Sequence, residues 1–353
     1  MKNKILVSVI LASYNHADYV EKAVRSVLDQ DAGTLELIVV DDGSSDATPD
    51  IVAGINDPRV SLIRLEENRR FHPRNTGLKQ AKGKYIAFQN SDDLWKEGKI
   101  KKQLEILENN PGLSACFTGV EIIDKKGAII KNSRAGRIFS GKNRKPAEWL
   151  REFFYNGNCL CLASALVRNS CLERAGFFNP ALVQLSDLDL WVRLAAEGGF
   201  HVISEKLTCM RVLPGQNLSG PGSFVSDCRI IAEMAEVLER YYRMPITKML
   251  TEIFYSENPR MPVSRTTAAG ALALMSWELS APHVMAANKI MAELVADPVT
   301  REELAREFGA GIIQKFYKMR GRVKMTRPRG VFLAAEKIRV AAKALVRRII
   351  CGR

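Results

Sequence analysis

The stretch VSVILASYNHADYVEKAVRSVLDQDAGTLELIVVDDGSSD, residues 7–46, decides the fold. Its first apolar run, VSVILA at 7–12, is typical of a buried β-strand. The segment 18–30 then places apolar residues on one helical face, namely Val20, Val24, Val27 and Leu28. A second apolar run, ELIVVD at 36–41, predicts another strand. Strand, helix and strand in this order predict a right-handed βαβ unit.

The same alternation continues to about residue 120. VSLIRL at 60–65 and KYIAFQ at 84–89 predict two more strands, and helices are predicted at 47–55 and 74–82. This order predicts an α/β sheet that is covered by helices on both faces. Ligands of such sheets bind beyond the carboxyl ends of the strands, so the residues that follow each strand are the candidates for a functional site.

Glycine and proline mark a domain boundary at 214–222. Before it, 114–123 and 128–131 are predicted as the two strands of a hairpin, and 188–197 as a helix. After it, segments rich in Ala, Leu, Met and Glu predict helices up to 308. We therefore divide the chain into a sheet-containing domain at 1–219, a helical extension at 220–314 and a basic amphipathic tail at 315–353.

Three acidic sites fall at the expected edge of this sheet. In DDGSSD (41–46) a carboxylate can accept a hydrogen bond from a base or a ribose, although Asp-Gly is also ordinary turn chemistry. The adjacent carboxylates of NSDD (90–93) suit a divalent metal, and a helix cap at a surface turn explains them equally well. In SDLDLW (186–191) two aspartates begin a helix, where acids often only complement the helix dipole.

Four motifs in this order resemble the family 2 inverting glycosyltransferases of the GT-A fold. They are VSVILASYNHADYVEKAVRSVLDQ, LELIVVDDGSSDAT, PRNTGLKQAKGKYIAFQNSDDLW and SDLDLWVRLAAEGG, and the resemblance spans about residues 5–219. It implies an α/β, GT-A (nucleotide-diphospho-sugar transferase) fold, which is a Rossmann-like mixed sheet with helices on both faces. Here a C-terminal helical region would follow it.

The resemblance implies how a nucleotide-sugar donor is bound. Tyr14 is expected to lie against the nucleobase, Asp42 to bind it and Asp41 to lie near the ribose. Arg74 and Asn75 begin the helix before NSDD and are expected to meet the ribose or the diphosphate, since helix N-termini favour phosphate. A uridine-based donor is expected.

The resemblance also implies a metal and a catalytic base. Asp92, with Asp93 beside it, matches the metal-binding end of the family's Asp-x-Asp motif, so Mg²⁺ or Mn²⁺ is expected. Asp187 matches the family's base, which takes the proton of an acceptor hydroxyl as that hydroxyl attacks the anomeric carbon. The metal would stabilise the departing nucleoside diphosphate, and direct displacement would invert the configuration of the sugar.

Three positions depart from the family's pattern. Asn90 stands where the motif normally starts with Asp; its amide oxygen can bind a ribose hydroxyl, or weakly a metal, but brings no charge. Ser186 stands where relatives often have Glu. Leu213 replaces a histidine that assists the metal or the diphosphate, so either Gln216 or Asn217 substitutes for it, or Asp92, phosphates and water hold the metal.

The charge is concentrated at one end of the 353-residue chain. Its formal net charge is +13, and residues 315–353 contain thirteen Lys and Arg against one acid, so residues 1–314 are almost neutral. No apolar stretch reaches the ~20 residues of a membrane-spanning helix. The protein is therefore expected to be cytoplasmic, with its seven cysteines reduced, and no nucleic-acid partner is expected for the body.

The tail has the pattern of an interfacial helix. Over 331–350 an apolar stripe alternates with Lys and Arg, which suits an anionic membrane surface at the inner face of the cell membrane. A helix docked on the protein itself, or contact with RNA, would also use such a pattern.

Two functions follow. The first is an enzyme that transfers a sugar from a nucleotide donor to a cell-surface glycan or a lipid-linked acceptor. The second is a catalytically silent GT-A scaffold that acts as a membrane-associated adaptor, which would account for Asn90, Ser186 and Leu213.

Overall fold

The computed structural model describes residues 5–68, 73–139, 141–213, 224–244, 252–254 and 264–320. The chain divides into two compact units. The first consists of Met1–Pro146 with Asn158–Gly220, and the second of Ala147–Gly157 with Pro221–Arg353. The segment 214–223, which includes the predicted boundary, lies outside the described residues.

In the described residues, eight strands of the first unit form one sheet. They are β1 Val7–Ser13, β2 Leu35–Asp41, β3 Val60–Arg64, β4 Tyr85–Asn90, β5 Leu94–Trp95, β6 Leu113–Ile123, β7 Leu166–Arg168 and β8 Gly199–Arg211. Their order in the sheet is β3-β2-β1-β4-β7-β6-β8-β5. The first four strands are parallel, and β7 runs antiparallel to both β4 and β6. The sheet is thus mixed, as predicted.

Helices pack on both faces of this sheet, which confirms the predicted fold class. Those of the first unit are α1 Val20–Leu28, α2 Thr48–Ala53, α3 Pro73–Leu78, α4 Lys99–Asn109, α5 Arg134–Ile138, α7 Asn169–Ala175 and α8 Ser186–Glu197. The valines of α1 share a buried cluster with Val9 and Leu11 of β1. On the other face α3 lies so close that a Cβ on Gly77 would be 2.9 Å from Ile10 Cγ2. Alternate residues of β1 therefore enter two separate cores.

The predicted hairpin after β6 is wrong in its second strand. The residues after β6 make one isolated bridge, between Ile123 and Ile129. The turn instead closes on the side chain of Asp124, whose Oδ1 accepts the backbone N–H groups of Lys126 and Ala128, both at 2.8 Å. Gly127 adopts φ +91° at this point. The pairing is thus limited to this bridge and the backbone bonds beside it, and the Asp124 side chain caps the turn.

The second unit is helical in its described parts. Its helices are α6 Pro146–Asn156, α9 Phe224–Arg243, α10 Arg265–Ser276, α11 Ala281–Ala296, α12 Pro298–Phe308 and α13 Gly311–Arg320. The predicted start of the tail at 315 falls inside α13, which buries Ile312 and Phe316. The rest of the tail, with the predicted helix at 331–350, lies outside the described residues. Of the helices that the structure describes, none has the length and apolarity to cross a membrane.

Candidate active site

Three parallel strands end together at the candidate site. Ser13, the last residue of β1, is in register with Asp41 at the end of β2, and Ala12 is in register with Asn90 at the end of β4. The motifs DDGSSD and NSDD, which follow β2 and β4, therefore lie at one edge of the sheet. This edge is where ligands of α/β sheets bind.

The first acidic motif forms a tight turn that holds Asp41. Its carboxylate is buried and accepts the backbone N–H of Ser44 at 3.0 Å and the Ser44 hydroxyl at 2.5 Å. Gly43 has φ +71°, and a Cβ there would be 2.6 Å from the backbone of Glu67, so the turn requires glycine. Asp42 is also buried, and its N–H donates to the carbonyl of Ser13 at 2.8 Å.

Tyr14 projects from the end of β1 and is 42% exposed. The next residue, Asn15, has the left-handed φ of 49°. Its N–H donates to Ser44 Oγ at 2.9 Å, and its Oδ1 accepts the N–H of Ser45 at 2.9 Å. The two strand ends are therefore fixed to each other. The exposed ring of Tyr14 offers a surface on which a base can stack.

Arg74 lies among the acidic residues of two separate motifs. Its Nη2 donates to Asn90 Oδ1 at 2.7 Å, and its Nε is buried without a hydrogen-bond partner in the described structure. Burial lowers the pKa of Arg74, while the charges of Asp187, Asp92 and Asp93 raise it. An arginine does not lose its proton in proteins, so Arg74 provides a positive charge between these motifs.

Asn75 bonds through both atoms of its amide to the backbone of one residue, Phe178. Its amide nitrogen donates to the carbonyl of Phe178 at 2.9 Å, and its oxygen accepts the Phe178 N–H at 3.1 Å. These two bonds attach α3 to the segment that follows α7. The predicted contact of Asn75 with the nucleotide stays a prediction.

Asp93 is held inside the protein by bonds to both of its oxygens. The backbone N–H of Arg211 donates to Oδ1 at 2.8 Å, and the amide of Asn90 donates to Oδ2 at 2.8 Å. Burial and the neighbouring charge of Asp92 raise the pKa of Asp93, and the two hydrogen bonds lower it. Asn90 thus contributes to the second motif as a hydrogen-bond donor, which an aspartate cannot be when ionised.

Asp92 has the features expected of a metal ligand. It is 8% exposed, burial raises its pKa, and no side chain of the described residues donates a hydrogen bond to its carboxylate. A cation would supply the missing compensation, so this residue fits a divalent metal. The described part of the chain contains no cluster of three His, Cys, Asp or Glu residues placed for a metal. Further oxygens would have to come from a bound diphosphate and from water.

His16 stands next to this motif. Its Nδ1 is 2.7 Å from the hydroxyl of Ser91, and its charge acts to lower the pKa of Asp92. The sequence places His16 in a loop after β1, where it would either edge the donor pocket or be exposed to solvent. The parallel register of β1 and β4 is what brings it to the NSDD motif.

Asp187 lies in the first turn of α8, half-buried and close to the charge of Arg74. Burial raises the pKa of Asp187 to about 6. The N–H of Leu188 at 2.8 Å, the charge of Arg74 and the amide of Asn158 at 2.7 Å all lower it. Asp189 differs, since it forms an ion pair with Arg193 at 2.9 Å. Of the two aspartates in this motif, Asp187 is therefore the one suited to exchange a proton near neutral pH.

The structure brings most of the predicted site residues to one place and adds three. Asn158, Arg211 and His16 contact the motif residues, and no local sequence signal marks the first two. Leu213 is buried, with 4% of its surface exposed, and Gln216 and Asn217 lie outside the described residues.

The sequence comparisons find similar proteins that are named as glycosyltransferases. Residues 8–171 match the family model described as Glycosyl transferase family 2. The putative teichuronic acid biosynthesis glycosyltransferase TuaG of Bacillus subtilis (strain 168) is 45% identical over 127 residues, which are 35% of this chain and 50% of TuaG. The UDP-Glc:alpha-D-GlcNAc-diphosphoundecaprenol beta-1,3-glucosyltransferase WfgD of Escherichia coli is 29% identical over 220 residues, 62% of this chain and 81% of WfgD. The chain spans a third to a half of the length of the first three curated relatives that it matches.

A solved structure shows the same fold. The S. aureus protein TarS, residues 1–349, in complex with UDP-GlcNAc, is similar with a TM-score of 0.55 at 17% identity. The likeness covers 99% of this chain and 93% of that one. Together with the family match, it confirms that the mixed sheet is of the predicted GT-A type.

Proposed function

Since residues 8–171 match the model of glycosyl transferase family 2, we propose that this chain transfers a sugar from a uridine-diphosphate sugar to a hydroxyl of a cell-surface glycan or a lipid-linked acceptor. The nature of the relatives supports the class of product, because TuaG is named for teichuronic acid biosynthesis and WfgD for a diphosphoundecaprenol acceptor. The aspartates at the ends of β2 and β4, together with Arg74, support the transfer of a sugar from a nucleotide donor.

One observation carries this proposal, the position of Arg74. It bonds to Asn90 of the second motif and interacts with Asp187 of the third, which are 97 positions apart in the sequence. A site for a diphosphate needs a positive charge between the group that holds the phosphates and the base that activates the acceptor. Arg74 would supply that charge, because it interacts with residues of both motifs.

The donor would be bound by the ends of β1 and β2. Tyr14 offers an exposed ring to the uracil, and Asp42 and Asp41 offer carboxylate oxygens to the base and the ribose. Arg74 would contact the diphosphate. Asp92 would hold Mg²⁺ or Mn²⁺, which when bound neutralises the charge that develops on the departing diphosphate.

Asp187 would act as the general base. With a pKa of about 6, it is ionised at neutral pH and is still basic enough to accept a proton from a hydroxyl that attacks a carbon. The attack from the side opposite the diphosphate inverts the anomeric configuration. Asn158 holds the carboxylate in place during this transfer.

The test is transfer from a panel of UDP-sugars to polyprenyl-diphosphate acceptors with Mg²⁺ or Mn²⁺ present. We expect Asp187→Asn to lower kcat by about 10²–10⁴-fold while UDP still binds. The matched control is Asp50→Asn, at an exposed position of α2. NMR of the product gives the configuration. Wild-type protein that binds nucleotide but transfers no sugar of the panel would instead support the silent scaffold.

We also propose that residues 315–353 bind the anionic surface at the inner face of the cell membrane. Their thirteen basic residues support this, because Lys and Arg are attracted to anionic lipid. A truncation should end after Arg320, because α13 buries Ile312 and Phe316 in the second unit. Weaker sedimentation with phosphatidylglycerol vesicles than that of the full chain, at unchanged Tm, is the expected result. Sedimentation equal to that of the full chain would contradict it.

A further inference from the structure

A second basic segment lies within the sheet-containing unit. Residues 125–145 carry eight Lys and Arg and no Asp or Glu, although residues 1–314 as a whole are nearly neutral. Its first part is the turn DKKGAIIK at 124–131, which we call the lysine loop. Lys125, Lys126 and Lys131 are exposed there, and within the described part of the chain none of the three forms an ion pair with a carboxylate.

The lysine loop also exposes two large apolar side chains. Ile129 is 57% exposed and Ile130 is 38% exposed, and both lie between the lysines. The turn that presents them is fixed, because Asp124 Oδ1 accepts the N–H groups of Lys126 and Ala128 and the N–H of Ile130 donates to the carbonyl of Ile122 at 2.8 Å. Adjacent exposed isoleucines on a structured turn bury little apolar surface on folding and are typical of a contact surface.

The loop begins beside the candidate active site. Arg211 Nη1 donates to the carbonyls of Asp124 at 2.7 Å and Lys125 at 3.0 Å. The same guanidinium donates through Nε to the carbonyl of Asp92 at 2.8 Å, and the backbone N–H of Arg211 donates to Asp93 Oδ1. One buried arginine therefore joins the NSDD motif to the start of the lysine loop.

We propose that the lysine loop docks this unit on the surface of an anionic bilayer. Lys125, Lys126 and Lys131 would face the phosphate headgroups, and Ile129 and Ile130 would enter the interface. A basic surface is attracted to anionic lipid, and apolar side chains gain by entering the boundary between headgroups and acyl chains. The link to a lipid-linked acceptor rests on the proposed function, whereas the docking itself does not.

The two isoleucines favour a bilayer over a soluble polyanion. A polyanionic glycan would attract the lysines equally well, but it offers no apolar environment to Ile129 and Ile130. An anionic bilayer accounts both for the three lysines and for the two exposed isoleucines of the lysine loop.

The experiment places a reporter in the loop of the full chain. The four native tryptophans are all buried, so the emission of an added tryptophan at Ile129→Trp can be isolated by difference. We expect this emission to shift to shorter wavelength with vesicles that contain phosphatidylglycerol, and not with phosphatidylcholine alone. Val299→Trp, at a position of α12 that is 72% exposed, is the control that should not shift.

Charge is tested by a second pair of variants. Lys125→Gln with Lys126→Gln and Lys131→Gln should weaken partitioning onto the same vesicles by about tenfold or more at low salt. The matched triple Lys22→Gln, Lys79→Gln and Lys206→Gln removes three exposed charges elsewhere in the same unit and should weaken it less.

The proposal is overturned if the Ile129→Trp emission does not shift, if it shifts no more than that of Val299→Trp, or if both lysine triples weaken binding equally. A shift with soluble polyphosphate but none with vesicles overturns it too, in favour of a soluble polyanion. Neither measurement uses a sugar donor. Failure of docking therefore leaves sugar transfer standing, and an inactive enzyme leaves docking standing.

Discussion

The amide nitrogen of Asn158 donates to Asp187 Oδ2 at 2.7 Å, across 29 positions of sequence. This bond favours the ionised carboxylate and so opposes the effect of burial, which raises the pKa of Asp187 to about 6. Asn158 thus sets both the orientation and the basicity of the residue that we propose as the base.

Replacing Asn158 should move the pH dependence of transfer. The ionised base is the active form, so kcat/KM in wild type should rise with pH through about 6 and level off above it. In Asn158→Ala the carboxylate loses a donor, and the midpoint should move up by about one pH unit. The kcat/KM of Asn158→Ala should therefore be several-fold below that of wild type at pH values below about 6, and little changed at alkaline pH.

The control for this prediction is Asn169→Ala, which removes an asparagine that bonds to Glu173 on α7. Its profile should match that of wild type. A uniform loss of activity at every pH in Asn158→Ala would show that Asn158 supports the structure alone.

Replacing Asn90 by aspartate, the usual residue at this position in the family that the sequence resembles, should destabilise the protein. Asn90→Asp keeps an acceptor for Arg74 but puts a second carboxylate where the amide now donates to Asp93 at 2.8 Å. We expect the free energy of unfolding to fall by about 2 kcal/mol without a divalent cation. Mn²⁺ should recover part of it, since a cation between the carboxylates removes their repulsion.

Thermal unfolding with and without MnCl₂ measures this effect. Asn90→Ala is the matched variant, because it also removes the bond to Asp93, and with it the bond from Arg74, without adding a charge. Its Tm should fall without recovery by Mn²⁺. Equal Tm values of Asn90→Asp and wild type in a chelator would contradict the role assigned to this amide.

His16 should contribute to nucleotide affinity. Its ring is 2.7 Å from the hydroxyl of Ser91 and lies between the end of β1 and Asp92. His16→Ala removes this polar group and releases Ser91, so the Kd for UDP with Mn²⁺ should rise by about five- to tenfold. Calorimetric titration measures it. His201→Ala, on β8, is the control, and an unchanged Kd in His16→Ala would exclude the contact.

The fold could be predicted largely because of its buried parallel strands. Strands covered on both faces appear in sequence as continuous apolar runs, and β1, β2 and β4 occur where VSVILA, ELIVVD and KYIAFQ predict them. The three-residue strand β7, which enters the sheet between β4 and β6, has no such pattern. Its position depends on pairing with distant strands, which a local pattern does not encode.

Of the residues at the candidate site, the sequence predicted those that lie within the motifs, and not the partners that bond to them. The types and order of the motif residues indicated Asp92 and Asp187, but the groups that tune them come from distant positions. Arg211 reaches Asp92 across 119 positions, and Asn158 precedes Asp187 by 29. Such partners are set by the packing of strands and helices, and a single sequence gives no spacing rule for them.

A buried lysine gives the last prediction. Lys99 of α4 is fully buried; its Nζ donates to Gln103 Oε1 at 2.9 Å and lies 4.0 Å from the centre of a ring of Trp95. Burial lowers its pKa from 10.5 to about 7. Between these pH values the unfolded chain binds the proton and the folded chain does not, so this residue makes the free energy of unfolding rise with pH.

Lys99→Met, which fills a similar volume without a charge, should remove that dependence. From pH 7 to pH 9.5, the free energy of unfolding of wild type should rise by about 2–3 kcal/mol more than that of Lys99→Met. Urea unfolding at the two pH values measures it, and Lys22→Met on the exposed side of α1 should show no such change. Parallel pH dependence in wild type and Lys99→Met would mean that Lys99 stays protonated in its buried position, held by Gln103 and the Trp95 ring.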